Sequence, residues 1–157
     1  MAIKRLMNEF EQYQKDPNPY YSLEPCESNI YIWDVLLFGP TETIFEGAII
    51  KCQFKFNQEY PNKPPEFNFI SNFPHPNIYP NGKVCISILH EGTDQYNYEH
   101  ISERWNPSHS INSILMSILL ILSVPNFESP ANVDASIMWR NNWSEYKKVI
   151  YKFISKN

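Results

Sequence analysis

Regular spacing of apolar residues in the first half of the chain predicts four β-strands. The clearest stretch is residues 48–56, where residues 48, 50, 52, 54 and 56 form an apolar face and Lys51, Gln53, Lys55 and Asn57 lie on the other. Residues 66–69 alternate in the same way, residues 29–38 are rich in aromatic and β-branched side chains, and residues 20–24 form a shorter candidate. Because short loops join these strands, we predict an antiparallel meander with one face packed on a helix.

Helical spacing of apolar residues appears at the start of the chain and throughout its last third. Residues 3–10 predict an amphipathic helix that ends before Asp16-Pro17. Residues 111–122 are nearly all apolar, which predicts a buried central helix with Ser110 as its N-cap. Residues 132–139, capped by Asn132, and residues 144–154 predict two C-terminal helices. Together these elements predict an α+β fold in a single domain of residues 1–157.

Composition and charge exclude some classes of function. The chain has 157 residues, a formal net charge of −4 and no long basic run, which argues against a nucleic-acid-binding protein. The most apolar run, residues 114–122, is shorter than the roughly 20 residues that cross a bilayer, so no direct membrane insertion is expected.

The cysteines and histidines favour free thiols over a metal site. Cys26, Cys52 and Cys85 are odd in number, and their spacing relative to the four histidines fits no zinc finger. Without a leader at the start of the sequence, free thiols indicate a reducing compartment. We therefore expect a cytoplasmic protein; recruitment to the endoplasmic reticulum surface by a partner and a nuclear location both stay open. Cys52 lies within the alternating pattern of a strand, so it is expected to be a small core residue.

The segment that leads to Cys85 has the strongest chemical signal. Pro74, Pro76 and Pro80 each fix φ and remove a backbone donor, so this segment is neither a helix nor a central strand. Asn81-Gly82 predicts a two-residue reversal, after which Cys85 would lie at the rim of the sheet. Acyl transfer needs such a thiol, held rigidly and open to a large partner. By spacing alone, a half-buried structural cysteine is an equally good interpretation.

A series of motifs then resembles a known family. His75-Pro76-Asn77 is followed in order by Gly82, Cys85 and Trp105-Asn106-Pro107, which resembles the catalytic region of ubiquitin-conjugating enzymes. The run from Cys85 and the long loop after it most resemble the chain-building subgroup that has an extended acidic loop. Matching motifs extend over nearly the whole chain; they are Phe38-Gly39-Pro40, Phe45-Glu46-Gly47, Tyr60-Pro61-Asn62-Lys63-Pro64-Pro65, and Pro125-Asn126 followed by Ser129-Pro130-Ala131-Asn132.

The resemblance implies an acyltransferase. Cys85 would accept ubiquitin from an activating enzyme as a thioester and pass it to lysine amines of protein substrates, building polyubiquitin chains with a RING-type ligase. This chain would need no metal or organic cofactor, because ATP and Mg are used by the activating enzyme. The resemblance also implies structural roles for the motif residues His75, Pro76, Tyr79, Gly82, Trp105 and Pro107.

Residues around Cys85 have possible catalytic roles. Asn77 could donate to the oxyanion that forms on the thioester, or it could stabilise its own loop; both roles stay open. A carboxylate near the thioester could orient the acceptor amine or take its proton. In the long-loop subgroup a histidine and acidic residues after the cysteine form this gate, and His90 and Asp94 match them. Elsewhere in the family the acid follows the central helix, where this chain has Ser129 beside Glu128.

Partner surfaces are also implied by resemblance. Donor ubiquitin would lie against the central helix, with Ile88 and Asn112 as contacts. Asn62 stands where the family often has a large apolar residue, so we expect weak pairing with ligases that need that anchor. The residues expected to contact ligases and the activating enzyme are Lys4, Arg5, Pro61, Asn62, Lys63 and Pro107.

Three rival interpretations stay open. The first is conjugation of another ubiquitin-like modifier. The second is a non-catalytic scaffold that binds ubiquitin or a conjugating partner, although such relatives typically lack the cysteine. The third is a thiol hydrolase, which would need a base within hydrogen-bond reach of Cys85. His75 is a poor candidate for that base, because a histidine between Pro74 and Pro76 is expected to make fixed structural hydrogen bonds.

Overall fold

A computed structural model describes residues 1–70, 72–91 and 104–156. Its elements are helix α1 (Ala2–Lys15), strands β1 (Tyr21–Cys26), β2 (Asn29–Phe38), β3 (Ile49–Lys55) and β4 (Glu66–Phe69), a 3-10 turn (Ser87–Leu89), and helices α2 (Ile111–Ser123), α3 (Val133–Asn141) and α4 (Trp143–Lys156). The predicted α+β class and the order of its elements are confirmed.

The four strands form one antiparallel sheet in the order β1-β2-β3-β4, which is the predicted meander. Its register aligns Val35 with Cys52, and Cys52 with Phe69. All three side chains are at most 2% exposed. The alternating pattern therefore placed Cys52 correctly in the core, where burial raises the pKa of its thiol.

Helix α2 contributes its apolar side chains to the same hydrophobic cluster as the sheet; they are Ile111, Ile114, Leu115, Ile118, Leu119 and Leu122. Ser110 caps the helix in a reciprocal pair, accepting from the Ser113 amide at 3.1 Å while Ser113 Oγ accepts from the Ser110 amide at 2.7 Å. Asn132 caps α3 by accepting from the Ala135 amide at 3.0 Å. Both predicted N-caps are confirmed, because capping depends on residues three positions apart.

Element ends differ by a few residues from the prediction. Strand β1 extends to Cys26, and α1 begins at Ala2 and reaches Lys15. Strands β2 and β4 have the predicted bounds. Within the described ranges, every helix is too short or too polar to span a membrane.

Candidate active site

Residues 77–79 lie antiparallel to residues 83–85 and form the frame of the site. The Cys85 amide donates to the Asn77 carbonyl at 2.9 Å, the Tyr79 amide donates to the Lys83 carbonyl at 2.8 Å, and Ile78 is bridged to Val84. Because side chains alternate across such a pair, Ile78 and Val84 share the buried face. The opposite face carries Asn77, Tyr79, Lys83 and Cys85.

The turn between these segments differs from the prediction. The Gly82 amide donates to the Tyr79 carbonyl at 2.8 Å, so the reversal is a loop of residues 80–82 and not the two residues Asn81-Gly82. Only Gly82 has a positive φ there, at +94°, as expected when a type I turn ends in a left-handed residue. A Cβ on Gly82 would lie 2.1 Å from the Phe69 carbonyl oxygen. Glycine therefore allows the turn to lie directly against β4.

His75 is fully buried, and both its ring nitrogens have hydrogen-bond partners. Nε2 lies 3.1 Å from the Leu122 carbonyl, which can only accept, and Nδ1 lies 3.0 Å from the Asn77 amide, which can only donate. This arrangement requires a neutral ring with its proton on Nε2. Burial lowers the pKa of His75 to about 4. In this geometry His75 joins the Cys85 frame to α2 and has no free nitrogen to act as a base.

Asn77 makes a two-way contact with the loop after α2. Its Nδ2 donates to the Asn126 carbonyl at 2.8 Å, and its Oδ1 accepts from the Asn126 amide at 2.9 Å. The Asn77 side chain is therefore engaged in loop stabilisation, one of the two roles left open above. One of its two amide protons is used in this contact, so the geometry is compatible with a second donation from the same nitrogen.

Cys85 is half-buried and lines a cavity of about 680 Å³. On one side the cavity is bounded by β4 and the chain before it, and on the other by Tyr79, Lys83 and the segment that follows the cysteine. The described residues contain no group of three or more His, Cys, Asp or Glu side chains that could hold a metal ion. The site consists of one thiol on a rigid hairpin beside an open groove, which suits a nucleophile that must reach a large partner.

A sequence model of the family described as ubiquitin-conjugating enzyme matches residues 5–154. The chain is 42% identical to human ubiquitin-conjugating enzyme E2 G2 over 158 residues, which covers 99% of this chain and 96% of that protein. It is 47% identical over 132 residues to the probable ubiquitin-conjugating enzyme E2 7 of Caenorhabditis elegans, covering 83% and 80% of the two chains. It is 48% identical to ubiquitin-conjugating enzyme E2 13 of Arabidopsis thaliana, also over 132 residues that cover 83% of this chain and 80% of that protein.

This chain belongs to the ubiquitin-conjugating enzyme family. The enzymes of this family are acyltransferases that use a cysteine thioester intermediate, and they work generally with ubiquitin, an activating enzyme and ligases. The family predicted from the sequence motifs is therefore confirmed, and so is the prediction that the protein is a transferase.

Residues predicted to contact ligases lie around one aromatic contact. Trp105 Nε1 donates to the Pro61 carbonyl at 2.9 Å, and the rings of Trp105 and Tyr60 are 5.9 Å apart. The Arg5 guanidinium lies over the Tyr60 ring, 5.7 Å from its centre. In this way the structure brings α1 and the loop at Pro61 together with the segment that leads to Pro107.

The remaining residues of this predicted surface are exposed: Lys4 on α1, Asn62 and Lys63 on the loop, and Pro107 after Trp105. Lys63 is paired with Glu59 at 3.2 Å. Asn62 offers an amide where a large apolar side chain would provide an anchor, so the expectation of weak pairing with anchor-dependent ligases stays a prediction.

The two predicted donor-ubiquitin contacts lie in different environments. Ile88 is only 6% exposed and belongs to the core, so the prediction of a surface contact there is wrong in this structure. Asn112 is exposed, and its Oδ1 accepts from the Tyr21 hydroxyl at 2.7 Å. Sequence reasoning missed a row of exposed apolar side chains along α2 and just beyond its end, namely Met116, Leu120 and Val124. Their spacing of four residues was the signal that could have found them.

The predicted acidic gate is only partly described. His90 lines the same cavity as Cys85. Its carbonyl accepts from the Trp105 amide at 2.9 Å, and the Glu91 carbonyl accepts from Arg104 at 2.8 Å. The residues on either side of positions 92–103 therefore lie side by side next to the cavity. Asp94 falls outside the described residues.

Proposed function

We propose that this enzyme accepts ubiquitin on Cys85 as a thioester and transfers it to lysine amines. The observation that carries the proposal is the half-buried Cys85 thiol, held beside an open groove on a hairpin that His75 joins to α2 and Asn77 joins to the loop after α2. The word ubiquitin in the names of the similar proteins supports this modifier over related ones. Since neutral His75 uses both ring nitrogens in structural contacts, a Cys/His hydrolase is a weaker interpretation.

The proposed chemistry consists of two acyl transfers. In charging, the Cys85 thiolate attacks the carbonyl carbon of the thioester on the activating enzyme, a new S–C bond forms, and the thiol of the activating enzyme leaves with its electron pair. In discharge, a neutral lysine amine attacks the same carbonyl carbon. A C–N bond forms, the C–S bond breaks, Cys85 leaves as a thiolate, and the proton of the amine passes to a base or to water.

We further propose that His90 and Asp94 act on the attacking amine. His90 borders the same cavity as Cys85, and the flanks of the loop that contains Asp94 meet beside that cavity. A carboxylate there would orient the amine or take its proton. Asn77 could support the oxyanion with its remaining amide proton while it stabilises the loop at Asn126.

The partner surfaces follow from exposure. We propose that donor ubiquitin packs on the apolar row Met116, Leu120 and Val124, whose side chains are 39%, 65% and 65% exposed. A RING-type ligase and the activating enzyme would use the surface around Arg5 and Pro61. Chain building rests on the resemblance to the long-loop subgroup. The three free cysteines support a reducing compartment, so we place the enzyme in the cytoplasm.

A charging assay tests the role of Cys85. The protein is mixed with ubiquitin, ubiquitin-activating enzyme and Mg-ATP and run on a non-reducing gel. We expect a ubiquitin-sized shift that reductant removes, that is lost in Cys85→Ala, and that persists in Cys26→Ala, the matched change at a cysteine on β1. Absence of the shift beside an active control enzyme, or its persistence in Cys85→Ala, would overturn the proposal.

A second measurement tests the acid. Enzyme that has been charged and purified is mixed with free lysine, and loss of the thioester is followed over time. Asp94→Ala should charge normally and discharge about a hundredfold more slowly, because general acid–base groups contribute at least that much. Glu99→Ala removes another acid from the same loop and should discharge like the parent. Equal slowing in both variants would indicate an effect of loop charge and would contradict a specific role for Asp94.

A further inference from the structure

The sequence motif assigned Tyr79 only a structural role. In the hairpin of residues 77–85, the register of the two segments makes Cys85 its neighbour. Tyr79 is opposite Lys83, and Cys85 lies two residues further along the same strand. Residues related in this way are diagonal neighbours on one face of an antiparallel pair, within reach of an aromatic side chain. Both side chains also line the same cavity.

The position of Tyr79 is set by its backbone. Its amide donates to the Lys83 carbonyl and its carbonyl accepts from the Gly82 amide, both at 2.8 Å. Gly82 is in turn held to β4, because the Phe69 amide donates to its carbonyl at 2.8 Å. The phenol ring therefore projects from a hairpin whose turn is hydrogen-bonded to β4, and the residue is 42% exposed.

The phenol of Tyr79 stays neutral beside Cys85. The pKa of Tyr79 is raised, chiefly by its electrostatic interaction with Cys85 and also by partial burial. Tyr79 therefore keeps its proton at neutral pH and can donate it in a hydrogen bond. A hydrogen bond to a charged acceptor is stronger than one between neutral groups.

We infer that the Tyr79 hydroxyl donates a hydrogen bond to the Cys85 sulfur and stabilises the thiolate that attacks in charging and leaves in discharge. The phenol keeps its proton throughout. The sulfur is a free thiolate before charging and after discharge, and it is bonded to the acyl carbon between those steps. The chemical consequence rests on the proposed function, whereas the contact itself belongs to the free enzyme. Tyr79 thereby gains a role that its place in the motif did not reveal.

Other charged groups border the same cavity and must be separated from Tyr79. The charged ones are Lys63, Glu66, Lys83 and Glu91, and His90 lies among them. Lys83 shares the hairpin face, and its ammonium also favours a thiolate, but through a longer-range interaction that salt screens. A hydrogen bond from Tyr79 should depend little on salt. The test therefore compares Tyr79→Phe with Lys83→Met at low and high ionic strength.

The experiment measures alkylation of the free enzyme by iodoacetamide as a function of pH, with each cysteine quantified separately by peptide mass spectrometry. In Tyr79→Phe the midpoint for Cys85 should move about half a pH unit upward, which is about threefold slower alkylation below the midpoint, at either salt concentration. Alkylation of Cys26, which is hydrogen-bonded to Ser28 on the β1–β2 turn, is the internal reference and should not change. Tyr151→Phe changes an exposed tyrosine on α4 and should behave like the parent.

Two results would overturn the inference: an unchanged or lowered midpoint in Tyr79→Phe, or an equal shift in Tyr151→Phe. A shift that disappears at high salt would assign the effect to screened charge and also count against the hydrogen bond. Charging and discharge should both slow about threefold in Tyr79→Phe. If the alkylation midpoint shifts as expected but the parent enzyme is never charged, the proposed function fails and the Tyr79–Cys85 contact stands. If the parent enzyme is charged normally but the midpoint does not shift, the proposed function stands and the contact fails.

Discussion

The two ends of α2 are held by groups of opposite character. At its N-terminus the Glu9 carboxylate accepts from the Ile111 amide at 2.7 Å, pairs with Arg5 at 3.1 Å and accepts from the Tyr60 hydroxyl. At its C-terminus the neutral His75 ring donates to the Leu122 carbonyl at 3.1 Å. One end therefore uses an ion beside the proposed ligase surface, and the other uses an uncharged ring beside the candidate active site.

The physical reason lies in burial and in the helix dipole. The N-terminus of a helix carries a partial positive charge, so a carboxylate is favourable there, and Glu9 keeps 13% of its side chain exposed. A cation would be favoured at the C-terminus, but His75 is fully buried, and burial opposes its charge more strongly than the dipole favours it. The active-site end is consequently the one that acid should disrupt.

The largest expected effect is the acid sensitivity of the His75 end. The pKa is about 4 in the folded state and near 6.5 when unfolded. Between these values the unfolded chain binds a proton that the folded protein excludes, so stability falls as pH is lowered. The loss should be roughly 3 kcal/mol between pH 6.5 and pH 4. Urea unfolding at a series of pH values measures it.

Two variants isolate the titration of His75. His75→Gln should be less stable at pH 7, but its free energy of unfolding should fall less steeply toward pH 4, so the gap to the parent narrows. Asn77→Ala loosens the same corner by removing the contact with Asn126 and retains the histidine, so it should keep the parental pH slope. If the free energy of unfolding falls equally steeply with pH in the parent and in His75→Gln, the acid sensitivity does not come from His75 and the contrast between the two ends of α2 fails.

A smaller effect is expected at the Glu9 end. Glu9→Gln keeps the shape of the side chain and removes its negative charge. That charge pairs with Arg5, accepts a hydrogen bond from the Tyr60 hydroxyl and lies at the N-terminus of α2. We expect a loss of about 2 kcal/mol in the free energy of unfolding at neutral pH. Thermal and urea unfolding measure this loss.

The matched control is Glu11→Gln on the same helix. Glu11 pairs with Lys15 at 2.9 Å, but its side chain is 61% exposed, so its removal should leave stability almost unchanged. High salt should reduce the effect of Glu9→Gln only partly, because that carboxylate is largely buried. If both variants cost the same, the Glu9 end is an ordinary surface ion pair and the contrast between the two ends disappears.

Features that depend on neighbouring residues were readable from the sequence. The bounds of β2 and β4, the caps Ser110 and Asn132, and the core position of Cys52 all follow from periodicity or from spacings of a few residues. The motif around Cys85 identified the family before any geometry was known, and the family matches agree with it. Local patterns suffice here because strand alternation and helix capping are short-range effects.

Contacts between distant segments were decided by the tertiary structure alone. Glu9 meets Ile111 across 102 positions, and His75 meets Leu122 across 47. Ile88 was expected at the surface and is buried, and Tyr79 was expected only as a motif residue and lies diagonal to Cys85. Residue types and spacing gave the candidate chemistry of this enzyme, whereas the pairing of remote segments set the burial, protonation and neighbours of each candidate, because those properties depend on which surfaces meet when the chain folds.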